Sequence, residues 1–218
     1  MKRTPTAAQE ESLRKLFSGN QIEREQIISI HRPEMQEQMR NLLRVKANTD
    51  HLLQIMLLDL GHASGEMKAH PGDQFWRRTT FRTLAATLDG IIFCLKQTAL
   101  VTGPMRGFKL TEKESLFLSE EAVEPRSGKK QKWLSFRENL KETFKLFAKV
   151  HSSPCLTDFN QDGFAALCET YEVRHRVVHP KSFMRFCVTD HEKQRAGEAI
   201  AWLDNEIRNL LDASTRSL

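Results

Sequence analysis

Between residues 174 and 181 the chain reads Arg174-His175-Arg176-Val177-Val178-His179-Pro180-Lys181. An imidazole titrates near neutrality and can take or give a proton, whereas a guanidinium stays charged and presents a planar fork that fits phosphate oxygens. Cleaving an RNA phosphodiester without a metal needs three things: a base for the ribose 2′-hydroxyl, a cation for the pentacoordinate phosphorane, and a proton donor for the departing 5′ oxygen. Arg174 and His179 supply two of the three. His175 and His179 are also four apart, a spacing at which two imidazoles can share a metal on one helix. No Asp or Glu at a neighbouring helix position completes such a set, and Pro180 disturbs its geometry, so no metal is expected. A purely structural use stands beside these: Arg174 bonding a carboxylate or helix-end carbonyls, and His179 capping the helix.

The segment carrying these residues must hold them together. Phe164, Leu167, Cys168, Tyr171 and Val178 recur at helical spacing, which predicts an amphipathic helix buried along that face. Pro180 ends it and places His179 at its C-terminus. Asp158 or Asn160 is the expected N-cap. Upstream, Phe75 to Val101 carries a broad apolar stripe, as a helix at the centre of a bundle does. A long helix is predicted from Pro33, ended by Gly61 and Gly65, with His62 and His70 in a following loop to Gly72. Thr111-Glu114 and Thr189-Glu192 have the form of capping boxes, the second opening the last helix. Trp133 to Val150 is helical by its pattern, Ser182 to Val188 is marginally extended, and residues 1–30 suggest two short helices. The expected fold is all-α: an antiparallel four-helix bundle over residues 73–218, with additional N-terminal helices in residues 1–72 packed on it.

Across its 218 residues the chain carries a net charge of +5, a mild excess that suits a polyanion without requiring one. Its placement says more. From Arg126 to Lys149 the basic residues, Arg137 and Lys141 among them, greatly outnumber the acidic ones. A second cluster, with Arg174, Arg176, Lys181 and Arg185, surrounds the motif. Arg137, Lys141, Arg176 and Lys181 are therefore candidate contacts to a nucleic-acid backbone, with a solvated helix face as the plain alternative. Cys94, Cys155, Cys168 and Cys187 lack any CxxC pairing, which argues against a zinc knuckle or disulfide framework. No apolar run of membrane length and no signal-type N-terminus is apparent, so a cytoplasmic protein without a membrane partner is expected.

The string Arg174 to Pro180 resembles the signature of HEPN domains, an Arg followed by a polar residue and then a His after four intervening positions. The stretch FRTLAATLDGIIFCLKQTAL is similar to the first long core helix of that family, in which an acidic residue commonly lies against the later Arg and His; Asp89 occupies a comparable place, followed by Gly90 where the family usually has no glycine. The resemblance implies an all-helical, usually dimeric, metal-independent ribonuclease without a cofactor. Arg174 would then hold the phosphate, with His179 as acid or base, His175 assisting and Asp89 as a further site member. It also implies RNA as partner, a groove at a two-fold homodimer axis, and a toxin or defence role with an antitoxin or regulatory protein. Some HEPN toxins carry a nucleotidylated Tyr two residues past the motif His; here that place is Lys181. The alternative is a non-catalytic helical RNA-binding or dimerisation module that keeps the motif for packing.

Overall fold

Leu84, Leu88, Ile91, Ile92, Leu95 and Ala99 recur every three or four residues and are almost wholly removed from solvent, so the helix bearing them lies at the centre of the core. This helix, α2 (Gln74–Met105), follows α1 (Pro33–Ala69) in a computed structural model that describes residues 33–120 and 134–216. The remaining elements are α3 (Glu112–Ser119), α4 (Phe136–Val150), α5 (Asp162–Val178), the single turn α6 (Phe183–Phe186) and α7 (Asp190–Arg216). Every regular element among the described residues is helical. The short helices expected in residues 1–30 lie outside the described residues, as do Arg126, Lys129, Lys130 and Lys132 of the basic stretch.

Local chemistry sets most of the helix ends. Thr111 and Glu114 form the expected capping box, the Glu114 amide donating to Thr111 Oγ1 at 3.2 Å and the Thr111 amide to Glu114 Oε2 at 2.8 Å. Glu114 also accepts from Lys149 Nζ at 2.7 Å; that bond, with those from Thr111, holds its carboxyl down at about 2. Thr189 and Glu192 make the same box ahead of α7. A third, Ser135 with Glu138, opens α4 three residues later than the Trp133 start expected from the pattern. The N-terminus of α5 differs from expectation: Asp158 accepts from the Asn160 amide at 2.9 Å in a local turn, and Gln161 is the cap. Residues 182–188 also differ, forming the turn α6 instead of an extended segment because Ser182 accepts from the Arg185 amide at 3.3 Å.

The largest correction concerns α1. Gly61 and Gly65 do not end it; it runs unbroken to Ala69, so His62 is a helical residue rather than a loop residue, and only His70 falls in the connection that follows. A glycine costs a helix roughly 1 kcal/mol against alanine, and burial of Leu60, Ala63 and Met67 on α1 outweighs that. The helix is laid antiparallel along α2 by side-chain bonds to backbone carbonyls: Thr87 Oγ1 to Met56 O at 3.3 Å and Thr80 Oγ1 to Ala63 O at 2.9 Å. Gly90 leaves room for the end of the Met56 side chain, since a Cβ there would lie 2.3 Å from the Met56 sulfur. An apolar groove of about 730 Å³ remains between α1, α2 and α7, lined by Leu42, Leu53, Leu57, Ile91, Ile200 and Ile207.

By length and composition α2 could cross a bilayer, its most apolar 18-residue window averaging a hydropathy of 1.5, which departs from the expectation of no apolar run of membrane length. Most of that window is buried against its neighbours, as in the core helix of a folded domain.

His151, at the end of α4, is buried and stacks on Phe147 with ring centroids 4.2 Å apart. Its Nδ1 donates to the Phe147 carbonyl at 2.8 Å, and Arg106 Nη1 donates to the His151 carbonyl at 3.0 Å. Burial lowers its pKa, so the fold holds the neutral ring. The sign follows. Below the unfolded value of about 6.5 the unfolded chain takes up the proton first, and stability falls with pH until the folded value is passed, by at most about 1.4 kcal/mol per pH unit. Urea midpoints measured at pH 7.5 and 5.5 are expected to differ less in His151→Gln than in the wild type.

Candidate functional site

The buried stripe of α5 is Phe164, Leu167, Thr170, Val173 and Val177, with Ala166 beside it. This departs from the expected face. Cys168 and Tyr171 are only half buried, and Val178 is 37% exposed, because the stripe turns toward Val173 and Val177, which pack with Phe81, Val188 and Ala196. The displaced edge of α5 is what looks toward α2 and α4. Arg82 Nη2 donates to the Val177 carbonyl at 3.4 Å, tying the motif end of α5 to the first half of α2.

On that edge Tyr171 donates its hydroxyl to Asp89 Oδ1 of α2 at 3.2 Å. Its ring stacks on Phe136, the first residue of α4, at 3.9 Å and 7°, and meets the His175 ring edge-on at 5.4 Å. Asp89 feels Arg174 and His175 electrostatically although 80-odd residues of chain separate them from it. Burial raises the Asp89 pKa; the Tyr171 bond and then Arg174 oppose that, Glu120 adds to it and His175 opposes it. Burial also raises the Tyr171 phenol, reinforced by the neighbouring Asp89. Arg174 is half buried and makes no hydrogen bond or ion pair among the described residues.

His179 is the C-cap of α5, exposed, with its backbone N–H donating to the His175 carbonyl at 3.0 Å. The imidazole itself has no hydrogen-bond partner among the described residues. Lys181 is likewise exposed just past Pro180.

Arg176 has a different occupation. Its Nη1 donates to the Arg185 carbonyl and, at 2.7 Å, to that of Cys187, while Nη2 pairs with Glu192 at 2.6 Å. These bonds clamp α6 and the start of α7 to α5, so the donors expected to meet a nucleic-acid backbone are engaged inside the chain.

Arg137 and Lys141, on α4, face the N-terminal part of α5. Arg137 sits 5.3 Å above the Phe164 ring and reaches the Cys168 thiol, while Lys141 Nζ is 5.1 Å from the Phe164 centroid and 5.4 Å from that of Phe159. Burial raises the Cys168 pKa, and Arg137 opposes that. From Phe164 to His179 the helix rises about 22 Å, so Arg137 and Lys141 meet α5 well back from its motif end.

Compared with protein-family models, curated proteins and solved structures, the chain matches none. The arrangement therefore has to be read from its own side chains. Two members escaped the sequence reading. Tyr171 was assigned to the apolar face, although it is the chain's single tyrosine and stands one turn before Arg174 and His175. Lys96, buried on α2, pairs at 3.0 Å with Glu120, whose charge acts on Asp89, and lies 4.2 Å from the Phe117 centroid. A lysine seven residues after Asp89 is the only sequence signal for it. No group of three or more His, Cys, Asp or Glu among the described residues is placed to hold a metal ion.

Proposed function

We propose that the chain is a metal-independent endoribonuclease of the HEPN type. The observation that supports this reading is Arg174, which has no hydrogen-bonding partner among the described residues and acts electrostatically on Asp89, as His175 does, on the helix that His179 ends. In it α2, α4, α5 and α7 are the antiparallel four-helix bundle of residues 73–218, and residues 1–72 are an extension packed on it. Arg174 holds the scissile phosphate and neutralises the charge that gathers on the phosphorane. His179, exposed and free to rotate, passes the proton at the 2′-hydroxyl or the departing 5′ oxygen, with His175 assisting. Arg137, Lys141 and Lys181 guide the RNA backbone. The missing third function comes from the second subunit of a homodimer, since a two-fold axis at the motif helix doubles each group. Such an enzyme suits a cytoplasmic toxin or defence component restrained by an antitoxin or regulatory protein.

The test uses the full chain and a single-stranded RNA in EDTA. Fragments ending in 2′,3′-cyclic phosphate or 3′-phosphate are expected, and intact RNA across pH 5–9 overturns the reading.

One observation favours a second reading, a non-catalytic RNA-binding or dimerisation module: Arg176, within the motif, spends its donors on the Cys187 carbonyl and Glu192. On that reading Arg174→Ala lowers the thermal midpoint while RNA remains intact with either protein.

A further inference from the structure

Tyr171 stands where three helices meet. Its hydroxyl is on Asp89 of α2, its ring face is on Phe136 of α4, and its ring edge is against His175, one turn along α5. A ring stacked at 3.9 Å with only 7° between planes cannot swing away without losing that contact, so the hydroxyl is held on the carboxylate. Asp89 in turn feels the charge of Arg174 without pairing with it, so a carboxylate fixed in place fixes the field in which that guanidinium sits.

We propose that Tyr171 is a positioning residue for the reaction, its hydroxyl holding in place the Asp89 carboxylate whose charge acts on Arg174 and its ring fixing the plane of His175. This inference rests on the endoribonuclease reading. The chemistry balances without any new reactant, because Tyr171 neither gains nor loses a proton and acts only as a donor to an ionised acceptor. Ionised Asp89 is the working form. The charged and titratable groups facing it are Arg174, His175 and Tyr171 from α5 and Glu120 from the end of α3, the last already paired with Lys96. Removing the phenol hydroxyl takes away the strongest influence that keeps the carboxyl low while burial still pushes it up. Asp89 then protonates at a higher pH, and the acid limb of the rate profile moves up with it.

The experiment measures cleavage of a single-stranded RNA oligonucleotide by the full chain in EDTA from pH 5 to 9, in wild type, Tyr171→Phe, Asp89→Asn and the double variant. Phenylalanine keeps the stack on Phe136, so the thermal midpoint serves as a check on folding. Tyr171→Phe is expected to lower kcat about ten-fold with KM unchanged, the size of effect of one hydrogen bond to a charged group. Its acid limb is expected at higher pH, and the double variant no slower than Asp89→Asn alone, because both changes remove the same link. A Tyr171→Phe enzyme with wild-type rate and an unmoved acid limb overturns the inference. So does a slow one whose deficit adds in full to that of Asp89→Asn. In both cases cleavage by the wild type, lost in His179→Ala, leaves the endoribonuclease reading standing. A wild type that does not cleave overturns both.

Discussion

His179→Ala is expected to reduce RNA cleavage in EDTA by about 10²- to 10⁴-fold, the range that one general acid or base contributes. The same substitution is expected to leave the thermal midpoint nearly where it was. His179 is exposed, and its imidazole has no hydrogen-bond partner among the described residues. What holds the end of α5 is the backbone bond from the His179 N–H to His175, which alanine keeps. Exposed substitutions of this kind stay within about 0.5 kcal/mol. Loss of activity with stability intact is therefore the result that points to chemistry. Wild-type cleavage by His179→Ala would remove His179 from the mechanism and the endoribonuclease reading with it.

Phe164→Ala is expected to give the largest stability loss, about 3–5 kcal/mol by urea denaturation, from lost burial and the cavity left behind. Phe164 is 1% exposed and packs with Phe159 at 5.2 Å and Trp202 at 5.4 Å between ring centroids. The site cannot collapse easily, because α7 already approaches α5 at Gly163, where a Cβ would lie 2.4 Å from that of Trp202. Phe183→Ala is the matching control. Its ring is 78% exposed on α6, so its removal is expected to change stability by no more than about 0.5 kcal/mol. Equal losses in the two variants would refute the assignment of Phe164 to the core.

The sequence alone determined what depends on neighbours within a turn or two. Helical periodicity located the long helix through Leu84, Leu88 and Leu95, and the capping boxes at Thr111 and Thr189 were legible because the residues that satisfy the free amides are three positions apart. The end of α5 at His179 followed from Pro180 in the same way. The third box, Ser135 with Glu138, was equally local and shows that the pattern carries more than was read from it.

Tertiary structure decided what depends on partners far away in the chain. Gly61 and Gly65 lie inside α1 because burial against α2 outweighs a small local penalty, and that penalty is all a sequence displays. The buried face of α5 turned from Val178 to Val173 and Val177 because Phe81, Val188 and Ala196 lie there. Arg176 and Arg174 are two residues apart and alike in type, yet one clamps α6 and α7 while the other keeps its fork unbonded among the described residues. Direction around a helix separates them, and only the packing of α7 says which direction is inward. Tyr171 and Asp89 are 82 residues apart, so no spacing could announce their bond. Periodicity supplied the helix that carries Arg174 and His179; the rotation of that helix against α2, α4 and α7 chose which of its side chains face one another.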